Sequence, residues 1–203
     1  MKRPNPLSVL LRISSDPTGV DSRSDFELPD ELKPLYERNG FFAFESALEV
    51  FPIGRSEKSY PLGAWNDENT WLSYYQDLRP SGVCFAQSAF GDQFLFNDGF
   101  HLFDPETGEV SHLAGSIELW AERMLDDYEA LTGQPLGHEW QARKGRIPSR
   151  SRLVPITPFV LGGAFEPDNL VAMDAVAGMR LRANLALQIK NLPDGAKVIY
   201  EVV

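Results

Sequence analysis

The side chains of this 203-residue chain best suited to chemistry are three histidines, His101, His112 and His138, and a single cysteine, Cys84. The histidines have no mutual spacing suited to a metal ion, and neither HExxH nor a paired-cysteine pattern occurs. His101 and His112 read as members of strands or strand edges. Cys84 and His101 could formally make a nucleophile pair, but Cys84 lies between Val83 and Phe85, the setting of an inert buried thiol. No nucleophile-elbow GxSxG and no phosphate-binding GxxxxGKS/T is present. Gly162-Gly163 could bring backbone amides to an anion, yet no basic residue follows and a turn accounts for both. Asp104-Pro105-Glu106-Thr107-Gly108-Glu109 superficially suggests an acidic metal loop. It lacks calcium-ligand spacing, and a hairpin turn explains every residue. The sequence therefore predicts no catalytic residue, no cofactor and no metal.

The remaining candidates suit recognition. Trp65, Trp71, Tyr74 and Tyr75 cluster beside Asn66, Asp67, Glu68 and Asn69, the aromatic and acidic mixture that a protein-binding patch uses. Trp71 reads as core. Glu45, Asp67, Glu68, Tyr74 and Asp77 are the candidate contact residues for a protein partner. The formal net charge is −10, which argues against general nucleic-acid binding because phosphate contacts need Lys and Arg. Charge is unevenly spread: Asp98 to Glu129 holds nine carboxylates and one Arg, while Arg143 to Arg152 holds five basic residues and no acid. The acidic stretch reads as a solvated face or as a docking surface that steers a basic partner. The basic segment reads as a solvated loop or as a phosphate or RNA contact. Asp126-Asp127 belong to the outer face of a helix.

These residues need a scaffold. From Val83 to His112, apolar runs are cut by Gly91-Asp92, Asn97-Asp98-Gly99 and Asp104 to Gly108, the mark of an antiparallel meander of four strands. Ahead of it, the first two dozen residues read as a loosely docked arm around one short strand. Leu28 to Gly40 reads as a short helix that Pro34 should kink, Ala47 to Phe51 as a strand, and Asp67 to Leu78 as a short helix presenting Trp71 and Tyr75. After it, Ser116 caps a helix carrying Ile117, Trp120, Met124, Tyr128 and Leu131, closed by Gly133. Gln134 to Pro158 reads as irregular because of its prolines. Phe159 to Phe165 reads as a turn region and Leu170 to Asp174 as a strand. Ala175 to Asn191 reads as a helix with Leu181, Leu185 and Ile189 spaced at four residues, and Lys197 to Val202 as a terminal strand. The sum is a single α+β domain, residues 1–203, with a central curved antiparallel sheet and flanking helices. The run Leu7 to Leu11 ends at Arg12 without a cleavage signature, and no uncharged apolar run reaches membrane-spanning length. With one cysteine, the expected address is the cytoplasm, with no membrane partner.

The order of motifs resembles the SUKH superfamily, the Smi/Knr-like proteins. It runs through a helix ending in Asn39-Gly40, the Trp71 region, Phe85-Ala86-Gln87, Phe90-Gly91-Asp92-Gln93-Phe94, Phe103 to Gly108, and a helix after Ser116. The match covers about residues 28–131, Phe41 to Leu48 looks like a bacterial branch, and residues from about 155 look like an extension found in some members. The resemblance implies a SUKH-like α+β fold and a non-enzymatic role. In bacteria that role is immunity, neutralising a cognate toxin, often a nuclease or secretion-system effector, by direct binding. The alternative is a housekeeping scaffold or regulatory interaction module. A small hydrolase using Cys84 or a histidine is the least supported reading.

Overall fold

The computed structural model describes residues 4–21, 26–193 and 196. Six strands, β1 (Phe41–Ala43), β2 (Leu48–Val50), β3 (Val83–Ser88), β4 (Gln93–Phe96), β5 (Phe100–Phe103) and β6 (Val110–Ala114), form one antiparallel sheet in sequence order. That is an α+β fold built on a meander, and the four strands read from Val83 to His112 are its β3 to β6. Each connection is local. Gly91 and Gly99 take positive φ in the first two turns, and in the third Asp104 Oδ1 accepts the Glu106 N–H at 2.7 Å while Gly108 N donates to the Asp104 carbonyl at 2.8 Å. Register shifts at Cys84/Ala86 and Phe100/His101 mark bulges, which bend and twist the sheet.

Both faces of the central strands are covered. On one, α3 (Ile117–Asp126) sets Trp120 against Phe85 and Phe94, with ring centroids 5.1 and 6.0 Å apart. On the other, the residues after α2 (Leu62–Trp65) bring Trp65, Trp71, Tyr75 and Phe103 into one aromatic chain with centroids 5.0–5.7 Å apart. Full burial of such side chains contributes roughly 1.5–3 kcal/mol each. Trp71 is core, as its spacing with Tyr75 implied.

Several elements differ from the sequence reading. The N-terminal arm contains a helix, α1 (Pro6–Ile13), and no strand among its described residues: Asn5 Oδ1 accepts the Leu7 N–H at 2.9 Å, and Pro6 occupies the position where a missing N–H costs nothing. Leu7 and Leu10 bury against α3. Residues 28–40 form two short 3-10 turns, Asp30–Leu32 and Leu35–Glu37, because Pro34 interrupts a continuous helix. Residues 72–78 are likewise 3-10, broken at Gln76, whose φ is 52°. The helix after Ser116 is interrupted at Asp127 and resumes as α4 (Tyr128–Thr132), closed by the left-handed Gly133.

The stretch from Gln134 to Pro158 is not irregular. It holds α5 (Gln134–Lys144) and β7 (Ser151–Pro155), which pairs with β8 (Leu170–Asp174) in a second, two-stranded sheet. Pro135 sits in the first turn of α5, where proline is tolerated, and the other prolines flank β7 or end it. α6 (Ala175–Lys190) runs where expected but buries a different face. Gly178, Met179, Ala183 and Ala186 pack inward, while Leu181 is 43% exposed. Small residues win because the helix lies close to β7 and to the sheet; a Cβ at Gly178 would stand 3.0 Å from Val154. The strand expected over Lys197 to Val202 lies outside the described residues.

A row of buried polar side chains ties the second sheet to the first. Across β2, β3 and β4 the paired residues Glu49, Gln87 and Gln93 share one face. Gln87 donates to Glu49 at 2.7 Å, and Gln93 accepts from the Trp65 indole at 2.7 Å. From β7, Arg152 pairs with Glu49, and its Nη1 donates to the Ser151 carbonyl at 2.6 Å.

Candidate functional site

Cys84 is 1% exposed on β3, and burial pushes its thiol up to about 12. His101 and His112 face each other across β5 and β6 with ring centroids 5.3 Å apart, and His101 Nε2 lies 3.1 Å from the Asn97 carbonyl oxygen. His138 is on α5, far along the chain, and pairs with Glu45 at 2.6 Å. Among the described residues no group of three or more His, Cys, Asp or Glu side chains is placed to hold a metal ion. Gly162 takes a positive φ of 85° and closes a 3-10 turn.

The five candidate contact residues fall into two settings. Glu45 lies in the β1–β2 turn, where Phe44, Glu45 and Ser46 all have positive φ of 51–72°. Left-handed backbone costs non-glycine residues roughly 1–2 kcal/mol each. The turn is held by Phe44 stacking on Tyr128 at 4.7 Å and by Glu45 bonding to Gln134 and His138 of α5. The other four lie together near α6. Asp67 accepts the Asn69 N–H at 2.8 Å, Glu68 pairs with Arg79 at 2.8 Å, Tyr74 is 41% exposed beneath Arg180, whose guanidinium lies 4.6 Å from the ring centroid, and Asp77 pairs with Lys190. Except for Asp67, each of these acids already has an internal counter-charge.

A second acidic surface has none among the described residues. Along α3, Glu118, Glu122 and Asp126 recur every four residues and stand on one side of the helix. They line a groove of about 490 Å³ between α3 and α1, floored by Val9, Leu125 and the half-exposed Leu119. Among the described residues no Lys, Arg or His makes an ion pair with any of the three. Like charges four apart on a helix repel by about 0.2–0.5 kcal/mol per pair. The fold therefore carries this repulsion with nothing among the described residues to offset it. The sequence reading placed these carboxylates in an acidic stretch but missed the groove, because its opposite wall is α1. The Asn5-Pro6 cap and the Leu7, Leu10 and Leu11 spacing were the available signal.

The basic segment also resolves. Arg143 and Lys144 neutralise Asp168, and Arg143 pairs with Glu139. Arg150 bonds to the carbonyls of Ser56 and Ser59 and lies over the Tyr60 ring, and Arg152 is buried against Glu49. Most of its charge is thus committed within the fold.

Among the described residues no helix is long and apolar enough to cross a membrane. In comparisons with known proteins, no family model and no curated protein matches the chain. The SUKH resemblance accordingly rests on the sequence motifs alone.

Proposed function

We propose that this protein is a non-enzymatic binding protein that captures a basic protein partner on the acidic α1–α3 groove, and that the partner is a cognate toxin. The observation that carries this reading is the triad Glu118, Glu122 and Asp126, without an ion-pair partner among the described residues and beside an apolar floor. An acidic rim around exposed leucine fits a segment with basic and apolar side chains. A toxin acting on nucleic acid presents Lys and Arg around its cleft, because phosphates must be met there. Carboxylates that stand in for those phosphates block the cleft and accelerate encounter. The SUKH-like motif order suggests the toxin, and the single cysteine suggests the cytoplasmic setting. The Asp67, Glu68, Tyr74 and Asp77 surface and, separately, Glu45 in the β1–β2 turn are the other candidate contacts to be tested.

The experiment is co-expression with the products of the genes that neighbour this one, tested as toxins. The expected result is rescued growth and co-purification of the two chains. Reversing Glu118, Glu122 and Asp126 to Lys should abolish both, whereas reversing Asp67, Glu68 and Asp77 should have the smaller effect. Failure of the unaltered protein to rescue or co-purify would sink the toxin reading and favour an endogenous partner.

A further inference from the structure

A cavity of about 340 Å³ opens where the turns of the main sheet meet the C-terminal segment. One wall is aromatic: Phe90, Phe159 and Phe165 touch pairwise, with ring centroids 5.1–5.8 Å apart. Phe90 is seated by Gly133, where a Cβ would run into its ring, and Phe165 is 67% exposed at the mouth. The other wall is charged. Asp92 accepts from the Ser88 hydroxyl at 2.6 Å, and Asp104 accepts the Glu106 N–H at 2.7 Å. Glu106, 7% exposed, accepts the Val160 N–H on Oε2 at 2.9 Å, and its other carboxylate oxygen has no protein partner among the described residues. The basic side chain that lines the cavity is Arg182, 4% exposed on α6. Its Nη1 donates to the Phe90 carbonyl and its Nε to the Gly178 carbonyl at 3.2 Å, and it makes no ion pair with any of the carboxylates.

The formal charge of the lining is therefore −2, three carboxylates against one guanidinium, facing an aromatic wall. An anion is disfavoured, because carboxylates outnumber Arg182 and backbone carbonyls already engage it. A metal ion is disfavoured because these acids do not converge as ligands. What fits is positive charge spread over a group that also accepts aromatic contact. We propose that this cavity binds an organic cation, an alkyl-ammonium or alkyl-guanidinium group whose charge is met by Glu106, Asp104 and Asp92 and whose stem lies against Phe90, Phe159 and Phe165. Burial, with mutual repulsion adding to it, holds the Glu106 and Asp92 carboxyls above the usual carboxylate range, and the charge of an entering cation favours their ionised form. The inference is independent of the α1–α3 groove and of the toxin reading.

The test is calorimetric titration of the purified protein, without any partner, with n-butylguanidinium and n-butylammonium, using n-butanol and butyrate as neutral and anionic counterparts. Saturable binding of the cations below roughly 10 mM is expected, with none of the alcohol or the acid. Glu106→Gln, which keeps the shape and can still accept from Val160, should weaken binding about tenfold or more. Phe165→Ala, at an exposed site that does not endanger folding, should weaken it about three- to fivefold. Blocked peptides Gly-Lys-Gly and Gly-Arg-Gly distinguish the source. Binding equal to that of the free cations means that a protein side chain enters the cavity, and binding of the free cations alone means a small-molecule ligand; either supports the proposal. No saturation with either cation, equal binding of butanol, or an unchanged affinity in both variants overturns it.

Discussion

Glu122 is the residue at which the groove's chemistry can be measured without any partner. It stands sixth in the ten-residue α3, away from the helix ends where the macrodipole acts, and four residues from both Glu118 and Asp126. Glu122→Lys removes two like-charge pairs, each costing about 0.2–0.5 kcal/mol, and creates two opposite pairs of similar size. The new lysine stands four residues after Glu118, which is the favourable order for such a pair along the helix. The sum is a stabilisation of about 1–2 kcal/mol, which for a chain of this length raises Tm by roughly 2–8 °C. Glu122→Gln should give about half the gain, since it removes repulsion and adds no attraction. Calorimetry in low salt and again near 1 M NaCl, where the Debye length falls to about 3 Å, should show the gain shrinking by more than half. The same Lys variant should bind a basic partner more slowly, because rim charges act chiefly on association. The proposed binding role of this residue thus trades against stability. No stabilisation, or a gain indifferent to salt, would refute the claim that like-charge repulsion among these three carboxylates acts in the free protein.

Three further predictions concern buried groups. Arg152→Met should cost about 3–5 kcal/mol in urea unfolding because it strands the Glu49 carboxylate, and Glu49→Gln in the same chain should recover most of that loss; equal stability of Arg152→Met and the double variant would show that a stranded carboxylate is not the cause. Cys84, 1% exposed with its thiol pushed up to about 12, should resist dithionitrobenzoate at pH 8 until the protein unfolds. Stoichiometric labelling of folded protein would contradict its placement. Glu106 has a folded pKa above its unfolded value, so its ionised form is penalised at neutral pH and the penalty is relieved as pH falls through the raised value. Glu106→Gln should therefore be more stable than the parent at pH 7, with the difference vanishing below about pH 4. A difference independent of pH would assign it to packing alone.

What was legible in the sequence was what neighbours along the chain decide. The meander from β3 to β6 is a succession of strand, turn and strand. Turn chemistry at Gly91, Asn97 to Gly99 and Asp104 to Gly108, together with two-residue alternation, suffices to read it. The start of α3 at Ser116, the stop of α4 at Gly133, strand β8 and the extent of α6 are local in the same sense. The turn reading of Asp104 to Glu109 was also sound, but it accounted for backbone geometry and missed that Glu106 turns its side chain into a cavity shared with α6.

Tertiary structure decided the rest, because burial of a side chain depends on what arrives from elsewhere. α5 buries mainly Leu136, Gly137 and Trp140 and has no apolar stripe to announce it. α6 turns its small residues inward because β7 leaves room for nothing larger, so its leucine spacing pointed to the wrong face. Glu49, Gln87 and Arg152 look like surface residues in the sequence and are interior only because β2, β3 and β7 pair and pack around them. The residues for the groove were visible as charge, but its existence required α1 to cross α3 from more than a hundred residues away. The amino-acid sequence alone determined an acidic α+β scaffold. Which acids remain unneutralised, and which wall they line, was settled by long-range packing, because a counter-ion is defined by proximity in space and not by position in the chain.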